Sequence, residues 1–120
     1  MTGVQTCALP IYFSTLKSKP IILSRRGKNI EYEVARSPKE AVKKAASMGF
    51  RSLVVAGGSR TNASFLKSGL VNEIVLNVEP FILGKGFPLF EESRLEMKLT
   101  LKSVVKIKNG ILQFRYVVKK

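Results

Sequence analysis

The sequence predicts an α/β domain, built on a mixed and mostly parallel sheet with helices on both faces and an antiparallel hairpin at the C-terminal end. Three observations carry that prediction. Apolar runs of strand length alternate with segments of helical period, in the order strand, strand, helix, strand, helix, strand, hairpin. Residues 52–56, "SLVVA", are apolar without alternation, as in a central strand covered on both faces. Asn109-Gly110 separates two strand-like segments and is the strongest short signal for a two-residue hairpin turn. A chain of 120 residues with 45% hydrophobic content suits one such domain.

Taken in order, residues 1–11, "MTGVQTCALPI", show neither helical nor strand periodicity. They resemble the translation of a sequencing adaptor and are read as a non-native leader, poorly ordered or held only through Leu9 and Ile11, with the domain occupying residues 12–120. "IILS" at 21–24 is a strand, "RRGKN" a turn, and "IEYEV" at 30–34 alternates as a half-exposed strand does. A helix then starts at a capping box, with Ser37 as N-cap, Pro38 at the first helical position and Glu40 three residues after the serine. Ala41, Val42, Ala45, Ala46 and Met48 fall on its apolar face, while Lys39, Lys43 and Lys44 lie mostly away from it. Gly49 is placed to end it in a left-handed conformation.

A second helix, about 61–68, buries Ala63, Leu66 and Leu70 and closes at Gly69. "EIVLNVEPFIL" at 73–83 puts Ile74, Leu76 and Val78 on one face, and "GKGFP" is a loop. Met97, Leu99 and Leu101 alternate with Lys98, Thr100 and Lys102 in a long strand that turns at Asn109-Gly110 into "ILQFRYVV" at 111–118. The lysines of this ribbon are a device by which an edge strand avoids pairing with other chains.

Composition removes several classes of chemistry. The single cysteine, Cys7, cannot form an internal disulfide, and the absence of histidine removes the commonest metal ligand and general base. No apolar run approaches the roughly 20 residues that cross a bilayer, and the start lacks the pattern of a secretory signal. A soluble, cytoplasmic protein without a membrane role is expected. The balance of 21 Lys plus Arg against 8 Asp plus Glu, a formal +13, attracts anions without saying which. Its charges are spread along the chain and its aromatics are not interleaved with them, so nucleic acid is the less favoured partner.

Chemistry concentrates at "VVAGGSRTN", where an apolar strand stops at Gly57-Gly58 and a helix starts. Such a junction aims backbone N–H groups outward, and the helix adds the positive end of its dipole. Ser59, Thr61 and Asn62 can add hydroxyl and amide donors, and Arg60 a full charge. The residues suit either a phosphate site or a tight strand-to-helix turn, and neither the P-loop nor the dinucleotide fingerprint is present. In "LSRR", Arg25 or Arg26 could grip a phosphate from a neighbouring strand end, or simply form a basic turn.

The order "IILSR", "SPKEA", "VVAGGS" resembles the cofactor-binding half of dihydrofolate reductases. "FLKSGLVNEIVLNVEPFILGKGFPLF" at 65–90 is more similar still to the reductase domain of the bacterial riboflavin-pathway bifunctional deaminase-reductases, which share that fold. The resemblance spans about residues 20–118. It implies a dihydrofolate-reductase-like three-layer fold and an NADPH-dependent reductase, of the 5-amino-6-(5-phosphoribosylamino)uracil reductase type or, alternatively, a dihydrofolate reductase. Gly57 and Gly58, joined by a cis peptide, would approach the pyrophosphate, and Ser59, Arg60 and Thr61 would continue the cradle. Ser24 and Arg25 match the positions that hold the adenosine 2′-phosphate.

Departures from the family pattern bear on substrate and completeness. Ala56 stands where the riboflavin-pathway reductases carry a glutamate and dihydrofolate reductases a small apolar residue, so a ribosylaminopyrimidine and a pterin both stay open as substrate. Asn72 replaces the aspartate of "GLVDE". The family's N-terminal strand, substrate loop and carboxylate-bearing helix find no counterpart in residues 1–19, which implies an N-terminally truncated form of weak or no activity, and leaves the catalytic residues unassigned. Relatives resemble dimers, so a homodimer is expected through a sheet edge or the segment from Phe87 to Phe90.

Overall fold

In the computed structural model, which describes residues 2–4, 21–24, 33–91 and 93–119, seven strands and two helices follow one another. They are β1 (Thr2–Val4), β2 (Ile21–Leu23), β3 (Glu33–Ala35), α1 (Pro38–Ser47), β4 (Leu53–Val55), α2 (Ser59–Lys67), β5 (Glu73–Val78), β6 (Leu99–Lys106) and β7 (Leu112–Val118). The mixed α/β class expected from the sequence is present. Its sheet arrangement differs from the single, mostly parallel sheet expected. The described strands form two parallel pairs, β1–β4 and β2–β3, and a three-stranded antiparallel sheet in the order β5-β7-β6.

The start of α1 follows its capping box closely. The Ser37 hydroxyl accepts from the Glu40 N–H at 3.1 Å, and the Glu40 carboxylate reaches back to accept from the Arg36 N–H at 3.0 Å, one residue before the cap. At the other end Gly49 has φ +86°, the left-handed close that glycine permits. Ala41 and Ala45 are buried, but Ala46 is exposed, and Lys44, expected to point away, bends back so that its ammonium donates to the Val34 carbonyl and lies 3.5 Å from Glu33. The long apolar stem of lysine lets it cover the strand while its charge stays at the edge.

Both helices contribute to one core, made by Ala35, Ala41, Val55, Phe65, Leu66, Val71, Ile74 and Val118. β4 therefore works from one face. Val55 is buried whereas Val54, on the opposite face, is 54% exposed, so the strand expected to be covered on both sides is covered on one among the described residues. α2 begins two residues before the expected start, at Ser59, and Val71 replaces Leu70 as the buried anchor after Gly69. β1, where no strand periodicity is visible, pairs Thr2, Gly3 and Val4 with Leu53, Val54 and Val55. Three residues are too few to leave a period-two signature.

β5 stops at Val78, short of the expected Leu83, because Pro80 cannot donate to a ladder. The hairpin forms as expected, with Asn109 at φ 59° and Gly110 at φ 78°. It also holds a β-bulge between Leu101 and Ser103 that period-two reading misses. The bulge lets Leu101 and Val104, three apart in sequence, pair with Tyr116 and Phe114, whose rings stack at 6.1 Å on one face. The opposite face gathers Glu73 between two cations, Lys102 at 3.0 Å and Arg115 at 3.5 Å. Residues 25–32 lie outside the described residues, and with them Arg25, Arg26 and the first part of the strand expected at 30–34. Among the described residues no helix is long and apolar enough to cross a membrane.

The hydrogen bond from Lys102, strengthened by the charges of Lys102 and Arg115, holds the Glu73 carboxyl below its ordinary range against the opposing effect of burial. A carboxylate whose folded pKa is depressed adds stability above its unfolded pKa and loses it as pH falls through the folded value. Thermal unfolding across pH should therefore show Glu73→Gln melting below the wild type near neutrality, with the gap closing in acid. A gap independent of pH would contradict this account.

Candidate functional site

β4 delivers the chain to Gly57, and the backbone there requires glycine. Gly57 sits at φ +98°, whereas a Cβ at that position would lie 3.8 Å from the Asn62 side-chain nitrogen, an ordinary contact. Conformation, not crowding among the described residues, disfavours other residues at 57. The Gly57–Gly58 peptide bond is cis, as the resemblance implies. At Gly58, the N-cap of α2, φ is −73° and a Cβ would meet no atom of the described residues within 4 Å. Neither backbone conformation nor packing among the described residues demands a glycine there.

The two helix starts differ in a way that matters electrostatically. α1 is closed by Ser37 and carries Glu40 in its first turn, whereas α2 has no side-chain cap and no acidic residue in its first turn. The N–H groups at the start of α2 consequently keep their capacity for an outside acceptor, with the positive end of the helix dipole behind them. Ser59 and Thr61 are half-buried beside this turn.

A distant segment clasps the same turn. The Glu91 N–H donates to the Ser59 carbonyl at 3.1 Å, its carboxylate accepts from Arg60 Nε at 3.2 Å, and Asn62 Nδ2 donates to the Leu89 carbonyl at 2.9 Å. Arg60, expected as a phosphate ligand, is thus paired with Glu91, although its side chain is 86% exposed and the pair is open to exchange. Asn62 also differs from expectation. Its donor is spent on Leu89, and Oδ1 is buried with no hydrogen-bond partner among the described residues.

Of the residues singled out in the sequence, Gly57, Gly58, Ser59, Arg60 and Thr61 are brought together in the β4–α2 turn. Ser24 belongs to the other parallel pair, where its N–H donates to the Ala35 carbonyl at 2.9 Å, and Arg25 lies outside the described residues. Sequence reasoning missed the clasp from residues 89–91. Asn62 did leave a signal, since a polar residue inside the stripe of Ala63, Phe65 and Leu66 must find a buried partner. Glu91, 31 positions from Arg60, left none.

A family model for the RibD C-terminal domain matches residues 10–113. The chain belongs to the RibD C-terminal domain family. A member of the curated proteins, the uncharacterized protein YwjB of Bacillus subtilis (strain 168), is 36% identical over 63 residues, which span 52% of this chain and 36% of the relative. The chain therefore matches about a third of that relative's length. Among solved structures, a protein from Shewanella sp. PV-4 named for riboflavin biosynthesis superposes with a TM-score of 0.78 at 20% identity, covering 98% of this chain and 74% of that one. The diaminohydroxyphosphoribosylaminopyrimidine deaminase/5-amino-6-(5-phosphoribosylamino)uracil reductase of Thermotoga maritima superposes with a TM-score of 0.67 at 14% identity, covering 98% of this chain and 37% of that one. At these identities the structural likeness is one of fold. The RibD C-terminal fold and the glycine turn coincide in one chain.

The two glycines should respond in opposite directions to substitution. Gly57→Ala is expected to lower the unfolding free energy by about 1–2 kcal/mol, because a Cβ at positive φ is strained. Gly58→Ser should leave it unchanged or raise it by roughly 0.5 kcal/mol, since serine is a good N-cap and has room. Urea denaturation of both variants checks the pair, and equal losses would contradict the conformational account.

Proposed function

We propose that this chain carries the cofactor-binding portion of an NADPH-dependent reductase of the riboflavin-pathway type, whose substrate is a ribosylaminopyrimidine. The observation that carries the reading is the uncapped start of α2 behind Gly58, together with membership of the RibD C-terminal domain family. The residues suit a pyrophosphate. The first turn of α2 offers unspent N–H donors, Gly58 leaves room for close approach, and Arg60 can exchange Glu91 for a phosphate. Ser24 and Arg25 are the proposed contacts of the 2′-phosphate. Bound NADPH would supply the hydride, and the chain's own part is to fix and orient it. Ala56 keeps a pterin as the alternative substrate.

A homodimer belongs to the same reading. On the face of the antiparallel sheet that carries Phe114 and Tyr116, Ile74 and Val118 belong to the core, but Val78, Leu101 and Val104 are about half exposed, with Lys106 as the charge beside them. Two copies of a chain at +13 repel each other, so a two-fold contact needs a charge-free centre, which this face provides. Light scattering should report a dimer that Leu101→Lys converts to monomer with its fold intact. A wild-type monomer at high concentration would refute the dimer.

Thermal stability measured with NADPH, with NADH and with neither, at low and physiological salt, tests the cofactor reading. The expected result is a rise selective for NADPH that survives salt, is lost in Gly58→Ser, and is larger in Glu91→Gln, where Arg60 is released. A rise only with RNA or DNA, collapsing as salt increases, would instead assign the basic surface to nucleic acid.

A further inference from the structure

Beyond the end of β5 the chain carries a run of large apolar side chains in solvent. Phe81 is 73% exposed, Ile82 94% and Leu83 69%, and Phe87 is wholly exposed, whereas Phe90 packs against the core. Single exposed apolar residues are ordinary, but four in one loop mark a surface that something covers. The loop is held at both ends. Pro80 lies against the hairpin turn, its Cγ 3.4 Å from the place a Gly110 Cβ would occupy, and residues 89–91 clasp the first turn of α2. Between these anchors, residues 82–88 make no hydrogen bond among the described residues. The loop doubles back on itself there, with Leu83 Cδ1 3.6 Å from the place a Gly86 Cβ would occupy.

We infer that a second copy of this chain covers Phe81, Ile82, Leu83 and Phe87, and that this contact secures residues 89–91 on α2, so that association steadies the β4–α2 turn. The inference rests on the dimer reading and adds to it the part of the contact that reaches the site. Area and charge select the occupant. The four side chains present roughly 600 Å² of surface, so two copies meeting there bury about 1,200 Å², the lower end of a specific interface, before half-exposed Val78 and the sheet face beyond it add their share. From Glu79 to Phe90 the charges are one anion and one cation, Glu79 and Lys85, so the loop is neutral in a chain of formal charge +13. A neutral loop draws no anionic lipid or acidic protein to itself, and it is where two such chains repel each other least. The coupling follows from continuity along the chain. With the loop uncovered, the clasp opens at the cost of its own hydrogen bonds, from Glu91 to Ser59, from Arg60 to Glu91 and from Asn62 to Leu89. With the loop covered, opening the clasp also strains the contact, and each therefore strengthens the other.

Light scattering and amide hydrogen exchange on the full chain and on the double variant Ile82→Asp, Phe87→Asp test both halves of this inference. The expected result is a dimeric wild type and a folded, monomeric variant at the same concentration. In the variant the Glu91 N–H should exchange about tenfold faster, while the amides of α1 keep their rates. A variant that stays dimeric overturns the loop contact and leaves the dimer reading to the sheet face. A monomeric variant whose Glu91 N–H exchanges at the wild-type rate overturns the coupling. If the variant does not fold, dilution of the wild type decides: exchange at Glu91 should quicken as the dimer dissociates, and a rate indifferent to dissociation overturns the coupling. A wild type that is monomeric at high concentration overturns the dimer reading and this inference with it, and its sedimentation with phosphatidylserine vesicles would assign the loop to a lipid surface instead.

Discussion

The positive φ of Gly57 is the constraint on which the site depends. It turns the chain at the end of β4 so that α2 starts at once, with Gly58 as a cap that has no side chain. A serine or aspartate in that place would spend the first N–H groups of the helix internally, as Ser37 does for α1. The glycine pair thus exchanges local helix stability for an unspent set of donors facing outward. Such an exchange is characteristic of sites at which a fold keeps a local weakness for a ligand.

The rest of the structure holds that turn in place. Phe65 and Leu66 seat α2 on the core with Val55 and Ile74, and residues 89–91 clasp its first turn through backbone and side chain. On the antiparallel sheet Glu73, drawn between Lys102 and Arg115, links all three strands on one face, while Leu101, Val104, Phe114 and Tyr116 line the other. Arg60, the cation at the start of α2, is already paired with Glu91. An incoming anion therefore meets dipoles that need no rearrangement and one arginine that must change partner.

Much of this was legible in the sequence where the signal is local. The capping box from Ser37 to Glu40, the left-handed close at Gly49, the Asn109-Gly110 turn and the glycine pair each depend on a few adjacent residues, and each is found. What was not legible is non-local. The bulge at Lys102 breaks the alternation that period-two reading relies on, the three-residue strand Thr2–Val4 exists through its partner β4, and Val54 is exposed for want of a covering element among the described residues. In the site, Gly57 to Thr61 could be read directly, whereas the pairing of Arg60 with Glu91 and the spending of the Asn62 amide donor on the Leu89 carbonyl come from a segment about thirty residues away. Propensity and pattern carry no information about such contacts.

The central claim is that the ligand's phosphates meet the start of α2. A titration of the isotopically labelled chain with NADPH, followed through its backbone amide resonances, tests it most directly. The account predicts that Gly58, Ser59, Arg60 and Thr61 move first and furthest. Shifts confined to the lysines of the β6–β7 hairpin, with the α2 amides unmoved, would contradict it.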